Sequence, residues 1–306
     1  AISGLRLTTP GAANADVVVN VTDDDTLTIV ANPTAVTVAE SGLTSFTVVL
    51  SHEPSQDVVV QLSSGNDNIA LPTPNAVTFT SSNYSNPVTI NINGFDDEND
   101  YDDTTTITAS GGTAVSATVD VTVTDNDVQN IILNPGTVAL QEDGTSGEFT
   151  VALAYAPENP IQVTVTSPDT GAVTVSPSTL TFDSSNYNVT QTVSATPVED
   201  DDIGDEAVLI EASATGLPTR QVTVTVEDQD IQAIVFDPST ATVNEGGTLS
   251  VGVRLAYNNL SDVDVTLSSA DTGAVEVSPT TLSFTDSNWS TLQTITLTGV
   301  QDADAG

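Results

Sequence analysis

The sequence predicts an all-β chain: tandem immunoglobulin-like β-sandwich repeats, each of seven strands and about 102 residues. Three observations carry this expectation. The first is an internal repeat. TDDDTLTIVANP from Thr22, TDNDVQNIILNP from Thr124 and EDQDIQAIVFDP from Glu227 align, which sets Pro33, Pro135 and Pro238 102 and 103 residues apart. The same spacing carries Glu40 to Glu142 to Glu245, and Phe79 to Phe182 to Phe284. It also superimposes Asn83-Tyr84, Asn186-Tyr187 and Asn288-Trp289. The second is alternation with period two, as in QVTVTVE from Gln221 and TITLTG from Thr294, with no stretch of 3.6-residue period. The third is turn chemistry: Asp-Gly, Gly-Gly, Ser-Pro and Asn-Pro pairs break the runs every 8 to 15 residues.

The elements follow in order. β-Branched Val, Ile and Thr fit a pleated surface with one face buried, so the alternating runs are strands with Thr outward. In the second repeat they fall at 131–141, broken at Asn134-Pro135-Gly136, and then at 148–154, 161–166, 172–175, 188–195, 207–214 and 221–227. Seven short strands in one repeat suggest a sandwich. Applied along the chain, the period makes residues 1–25 the last two strands of a preceding or donated repeat. Residues 26–127 and 128–230 are complete repeats, and 231–306 holds the first five strands of an incomplete one. Two explanations stand side by side: a window onto a longer array, or N-terminal strands that complete the open domain of another molecule.

Composition removes whole classes of function. The 306 residues carry 42 Asp plus Glu against three Arg (Arg6, Arg220, Arg254), no Lys and one His, for a net charge of −39. Without a basic patch nothing neutralises phosphates, which argues against nucleic acid, and anionic membranes repel the chain. The absence of Lys excludes a Walker loop or a Schiff base within this sequence. With no Cys there is no disulfide, thiol nucleophile or thiolate zinc site here, and one His argues against histidine-based catalysis. Apolar residues make up 38%, too many for a disordered acidic chain, and no run reaches the length of a membrane span.

The carboxylates are not scattered. In a sandwich of alternating strands, one pole gathers the end of the first strand, the third-to-fourth and fifth-to-sixth turns, and the end of the seventh strand. Acids recur there. The second repeat has Glu142, Asp169, the run Glu199-Asp200-Asp201-Asp202 with Asp205 and Glu206, then Asp228 and Asp230. The first has Glu40, Asn66, Asp96-Asp97-Glu98 with Asp100, Asp102 and Asp103, then Asp125 and Asp127. The third has Glu245, Asp271, Asp302 and Asp304. Two carboxylates 4 Å apart repel by about 4 kcal/mol at an effective dielectric of 20, so such a pole calls for a cation. Many hard oxygen ligands suit Ca²⁺ better than Mg²⁺, which keeps more of its water. The candidate ligands are Glu40, Asp97, Asp100, Asp125 and Asp127; Glu142, Asp200, Asp202, Asp228 and Asp230; and Glu245, Asp302 and Asp304 with Asp23 and Asp25. DDDIGDE from Asp200 lacks the glycine and spacing of an EF-hand loop, and GGT at Gly111 is not a nonapeptide calcium repeat.

This arrangement resembles the Calx-beta domain. The matching residues are an acid after the first strand (AES from Ala39, QED from Gln141, NEG from Asn244), the acidic fifth-to-sixth loop, and the closing D-x-D at Asp125/Asp127 and Asp228/Asp230. The resemblance implies an immunoglobulin-like sandwich with calcium at one pole. In its tandem form it implies a long bacterial or archaeal surface protein. The Gly-Thr-Ala followed by Asp-Tyr typical of the family's middle is missing.

Other features have plainer readings. Tyr84, Tyr187 and Trp289 are expected as core or corner aromatics, and His52 as an exposed turn residue. Five N-x-S/T sequons begin at Asn20, Asn83, Asn188, Asn259 and Asn288, about the number that a Ser/Thr-rich chain yields by chance. The leading expectation is a non-enzymatic extracellular, cell-surface module: a calcium-stiffened stalk or filament segment whose partners are neighbouring repeats or identical subunits head-to-tail. The alternative is an adhesin that holds a glycan or a surface through its loops or Thr-rich faces. The two complete repeats differ by one residue in length, which favours a spacer. An acidic hydrolase is the weakest reading, because the acids cluster around one point rather than flank a cleft.

Overall fold

The computed structural model describes residues 2–7, 10, 11, 13, 15–301 and 303, with the backbone alone for 2–7, 15 and 16. The chain divides into two compact units, Ala1–Val128 and Gln129–Gly306. Every named element is a strand.

The first unit opens with a hairpin of β1 (Ile2–Leu7) and β2 (Ala15–Asn20). It continues with β3 (Ile29–Asn32), β4 (Ala35–Ala39), β5 (Leu43–Leu50), β6 (Val58–Ser64), β7 (Ala70–Thr73), β8 (Ala76–Phe79), β9 (Val88–Gly94), β10 (Asp103–Gly111) and β11 (Ala114–Thr124). These nine segments are seven strands, because the first and fourth are each cut in two around a proline, Pro33 and Pro74. Proline offers no N–H to the ladder, so each half joins a different sheet. The two sheets run β3-β5-β9-β7 and β4-β11-β10-β6-β8, antiparallel save for β4 beside β11.

The second unit repeats the plan with β12 (Ile131–Asn134), β13 (Thr137–Gln141), β14 (Gly147–Leu153), β15 (Ile161–Thr166), β16 (Val173–Ser176), β17 (Thr179–Phe182), β18 (Gln191–Pro197), β19 (Glu206–Ser213) and β20 (Arg220–Glu227). Its sheets are β12-β14-β18-β16 and β13-β20-β19-β15-β17. A third sandwich follows with β21 (Ile234–Asp237), β22 (Thr248–Leu255), β23 (Val263–Thr266), β24 (Val275–Ser278), β25 (Thr281–Phe284) and β26 (Gln293–Gly299). One sheet runs β21-β22-β26-β24, and among the described residues the other comprises β23-β25.

The period-two pattern becomes burial. In β20, Val222, Val224 and Val226 are buried while Thr223 is half-buried and Thr225 exposed. Phe79, Phe182 and Phe284, the repeating phenylalanines, are each fully buried, and each sandwich has its own apolar core. The fourth strand departs from the sequence reading. Expectation placed one strand at 172–175, whereas the chain turns at Pro177 and adds β17 on the opposite sheet. The fifth strand also starts later than expected, at Gln191, because Asp183–Thr190 forms a turn. Asn186 holds that turn: its Oδ1 accepts from the Asp183 N–H at 2.7 Å and its Nδ2 donates to the Thr181 carbonyl at 3.3 Å. Asn83 and Asn288 do the same. The next residue, Tyr84, Tyr187 or Trp289, packs on the core, and its carbonyl accepts the N–H of Leu50, Leu153 or Leu255. These are corner aromatics. His52 is exposed, beside the Ser51 hydroxyl.

Candidate metal centre

Each complete sandwich gathers its acids at one pole. In the second, β13 ends at Gln141 and delivers Glu142, while β20 ends at Glu227 and delivers Asp228 and Asp230. One carboxylate oxygen from each of these three lies within 4.8 Å of the others. The loop between β18 and β19 supplies a second group within the same limit: Asp200, Asp202 and Glu206. The two groups meet where the Asp200 N–H donates to Glu142 Oε1.

Backbone hydrogen bonds fix the side chains. Asp200 Oδ1 accepts the Asp202 N–H at 2.7 Å, Asp202 Oδ1 the Gly204 N–H at 2.7 Å, and Asp228 Oδ1 the Asp230 N–H at 2.6 Å. Such turns, in which an aspartate caps the amide two residues on, suit Asp because its carboxylate sits one carbon from the backbone. Asp205 joins the closing segment to the loop by accepting the Asp228 N–H at 3.0 Å.

The first sandwich reproduces this at equivalent positions. Glu40, Asp125 and Asp127 form one group within 4.8 Å. Asp127 N–H donates to Asp125 Oδ1 at 2.8 Å, Asp125 N–H to Asp102 Oδ1 at 2.9 Å, and Asn126 Nδ2 to Glu40 Oε2 at 3.0 Å. Asp97 accepts the Asn99 N–H at 2.9 Å and hydrogen-bonds to Asp103, the counterpart of Glu206.

Electrostatics at these poles are unfavourable for ionised acids alone. Glu40 and Glu142 are more than nine-tenths buried. Three carboxylates within 4.8 Å repel by about 3 kcal/mol per ionised pair at an effective dielectric of 20. Burial first, and neighbouring acids after it, hold the carboxyls of Glu40, Asp125, Glu142 and Asp202 above their ordinary range. Burial is also the largest cause for Glu206, whose pKa is pushed up to about 7 with Asp200, Asp202, Glu142 and Asp228 adding repulsion. The described arginine side chains point elsewhere: Arg220 donates to Asn130 and Arg254 to the Leu255 carbonyl. Asp125 Oδ2 and Asp228 Oδ2, at matching positions, are buried without a hydrogen-bond partner. A buried oxygen left in that condition is costly, and a cation beside it removes the cost.

Of the sequence-expected ligands, Glu40 with Asp125 and Asp127, Glu142 with Asp228 and Asp230, and Asp200 with Asp202 come together. Asp97 lies beside Asp103, and its charge reaches Glu40 and Asp125. Asp100 joins no such group; Asn99, not Asp100, occupies the turn position of Asp202, its Oδ1 accepting the Tyr101 N–H at 2.9 Å. Glu245 is exposed and accepts from Gln301 at 2.9 Å, while Asp302 and Asp304 lie outside the described residues. Asp23 and Asp25 stand with Asp24 in an exposed group, and Asp23 Oδ1 accepts the Asp25 N–H at 3.0 Å. Asp169 and Asp271 hold their own turns, bonding to the N–H of Gly171 and Gly273. Glu206 is the member that sequence reasoning did not select. Its signal is the recurrence of an acid, Asp103 and then Glu206, as the first residue of the sixth strand.

The acidic loop of the second sandwich also touches the third. Asp202 forms a parallel bridge with Asn258, whose N–H donates to the Asp201 carbonyl at 2.8 Å. The Tyr257 hydroxyl hydrogen-bonds to Asp230. Gly204 lets Leu260 approach so closely that a Cβ there would lie 2.5 Å from Leu260 Cδ1.

No family model matches the chain, and no curated protein matches it. Among solved structures, the chain is similar to the surface layer protein SbsC, domains 4-9, at 17% identity over 87% of this chain and 45% of that one, with a TM-score of 0.28. It is similar to the protocadherin GammaB4 extracellular domain at 15% identity over 98% and 48%, TM-score 0.36. A third similarity is to the E. coli chaperone DraB, at 11% identity over 66% and 100%, TM-score 0.28. The chain spans less than half the length of the first of these, and likeness at this level assigns no function.

Proposed function

We propose that the chain is a segment of a non-enzymatic structural protein of the cell surface, a tandem β-sandwich stalk or filament stiffened by calcium at the pole of each complete sandwich. The observation that carries this reading is the repeated pair of buried, unpartnered oxygens, Asp125 Oδ2 and Asp228 Oδ2, each beside a buried glutamate. The donor set is all oxygen and highly anionic, which fits Ca²⁺ with its six to eight hard ligands. Glu142, Asp228 and Asp230 with Asp200, Asp202 and Glu206 would hold it in the second sandwich. Glu40, Asp125 and Asp127 with Asp97 and Asp103 would do so in the first.

Calcium would act in two ways. Binding only to the folded sandwich, it stabilises the fold by mass action, by about 2.7 kcal/mol at a concentration one hundred times Kd. It also fixes the loop of Asp200 and Asp202, which is bridged to Asn258 of the next sandwich, and thereby stiffens that junction. Thermal melting at low salt with calcium, with magnesium and with chelator tests the reading. A rise of several degrees with calcium over chelator is expected, smaller with magnesium. Identical midpoints in all three sink it.

A further inference from the structure

Three of the N-x-S/T sequons, at Asn83, Asn188 and Asn288, fall in the same corner turn of the three sandwiches, but not at the same position within it. Asn83 and Asn288 are the caps of their turns. The Asn83 Oδ1 accepts the Thr80 N–H at 2.6 Å while its Nδ2 donates to the Thr78 carbonyl at 3.3 Å. Asn288 holds the Thr285 N–H and the Ser283 carbonyl in the same way, at 2.6 and 3.5 Å. Both asparagines are half-buried. Neither amide nitrogen is free unless its turn opens.

In the second sandwich the cap is Asn186, which Tyr187 and Asn188 follow, so the cap itself heads no sequon. The sequon starts two residues later. There Asn188 takes the place of Ser85 in the first repeat and Ser290 in the third. The backbone on either side is anchored: the Tyr187 carbonyl accepts the Leu153 N–H at 2.8 Å, and the Val189 N–H donates to the Asn186 carbonyl at 3.0 Å. The side chain between them is not. Among the described residues no hydrogen bond engages the Asn188 amide, and Asn188, Val189 and Thr190 are all exposed, Val189 by 58%. The amide and the hydroxyl two residues on, the pair that defines the sequon, thus stand together on the surface of a turn that Asn186 already holds in shape.

We propose that Asn188 is an acceptor of an N-linked oligosaccharide, and that the fold closes Asn83 and Asn288 to the same modification. The donor is an oligosaccharide carried on a lipid pyrophosphate. The Asn188 Nδ2 forms a bond to the anomeric carbon, the bond from that carbon to the pyrophosphate oxygen breaks, and the lipid pyrophosphate leaves with the bonding pair. The amide gives up one proton to the transferase. The added sugar is bulky and solvated, and it sits beside exposed Val189 without costing the turn any hydrogen bond. Modification of this kind belongs to an exported chain, so its setting rests on the cell-surface reading above; calcium plays no part in it.

The folded chain is incubated with an oligosaccharyltransferase and its lipid-pyrophosphate-linked oligosaccharide, cleaved before aspartate and read by mass spectrometry. Cleavage there separates the three sites into segments 67–95, 183–199 and 286–301. Unfolded peptides of the same segments measure what each sequence accepts by itself. Expected is one oligosaccharide on Asn188, lost in Thr190→Val, with transfer in the folded chain relative to the matching peptide at least tenfold greater there than at Asn83 or Asn288. The paired change Ser290→Asn with Leu292→Thr moves the third repeat's sequon to the open position and should gain a glycan at 290; it decides the case if a capped segment's peptide proves unreactive. Melting curves equal to the parent's show that these variants are folded. No transfer to Asn188, equal relative transfer at all three sites, or a folded paired variant that gains nothing at 290 overturns the proposal. Transfer reads the accessibility of Asn188 alone, so its failure leaves the calcium-stalk reading standing, and identical melting midpoints with calcium and chelator sink that reading without touching this one.

Discussion

Replacing Glu206 with Gln should stabilise the metal-free second sandwich at pH 8 and leave it nearly unchanged near pH 4. The carboxyl is raised from 4.5 to about 7, first by burial and then by Asp200, Asp202, Glu142 and Asp228. A folded-state pKa above the unfolded value means that the folded chain holds the proton more tightly. Its favourable contribution is complete below about 4.5 and is lost as pH rises through about 7. The interval between the two values corresponds to roughly 3 kcal/mol at about 1.4 kcal/mol per pH unit, and solvent screening of a part-exposed group reduces it to about 1–2 kcal/mol. Glutamine keeps the shape without the charge, so in chelator at pH 8 the midpoint should rise by about 5–10 °C for a sandwich of this size. On the proposed calcium reading the sign should reverse in calcium, because a ligand charge is gone. Scanning calorimetry at pH 4 and pH 8, with chelator and with calcium, measures all four values. A midpoint that falls in chelator at pH 8, or that moves equally at both pH values, refutes the reasoning.

Three further outcomes follow from the packing. Phe182→Ala empties a fully buried ring site and should cost about 3–5 kcal/mol, seen as the loss of the second sandwich's transition from the melting curve. Asn186→Ala removes the cap of the turn before β18 and should cost about 1 kcal/mol in urea titration, whereas Asn186→Asp, which keeps the Oδ1 acceptor, should recover part of it. Gly204→Ala meets Leu260 Cδ1 at the seam with the third sandwich; the Asn258 amide should exchange hydrogen faster, while core amides such as Val224 keep their rates.

The fold was legible because physical constraints wrote it into residue order. Alternation marks the strands, and the repeat multiplies a weak signal at each position by its recurrence. What escaped was β17, which starts two residues after Pro177 and at four residues is too short for alternation to separate from a turn. The late start of β18 escaped because the run before it contains Asn186, whose capping role depends on where the chain reverses. At the pole, Glu40, Glu142 and the D-x-D pairs were readable because they close strands that themselves were readable. Asp100 was chosen over Asn99 because charge was counted and turn position was not, although the amide oxygen of Asn99 closes the same turn as the carboxylate of Asp202. The exposure of Glu245 was not legible from its own repeat, since burial of its counterparts depends on the strand beside them.

On the proposed calcium reading, the capping turns bear on the speed of cation capture as much as on its strength. Asp97, Asp125, Asp200, Asp202 and Asp228 each use one oxygen to clasp a backbone amide two residues ahead, and this holds the loops in shape. A loop that is already folded need not search conformations when an ion arrives, and ordering a residue costs about 1–2 kcal/mol that is not charged against association. Capture should then be a single fast phase in stopped-flow, set by diffusion and by stripping water from the ion. Asp200→Glu would keep the charge but reach past the amide it should clasp. Its penalty would fall on the association rate, because the loop must then form around each arriving ion.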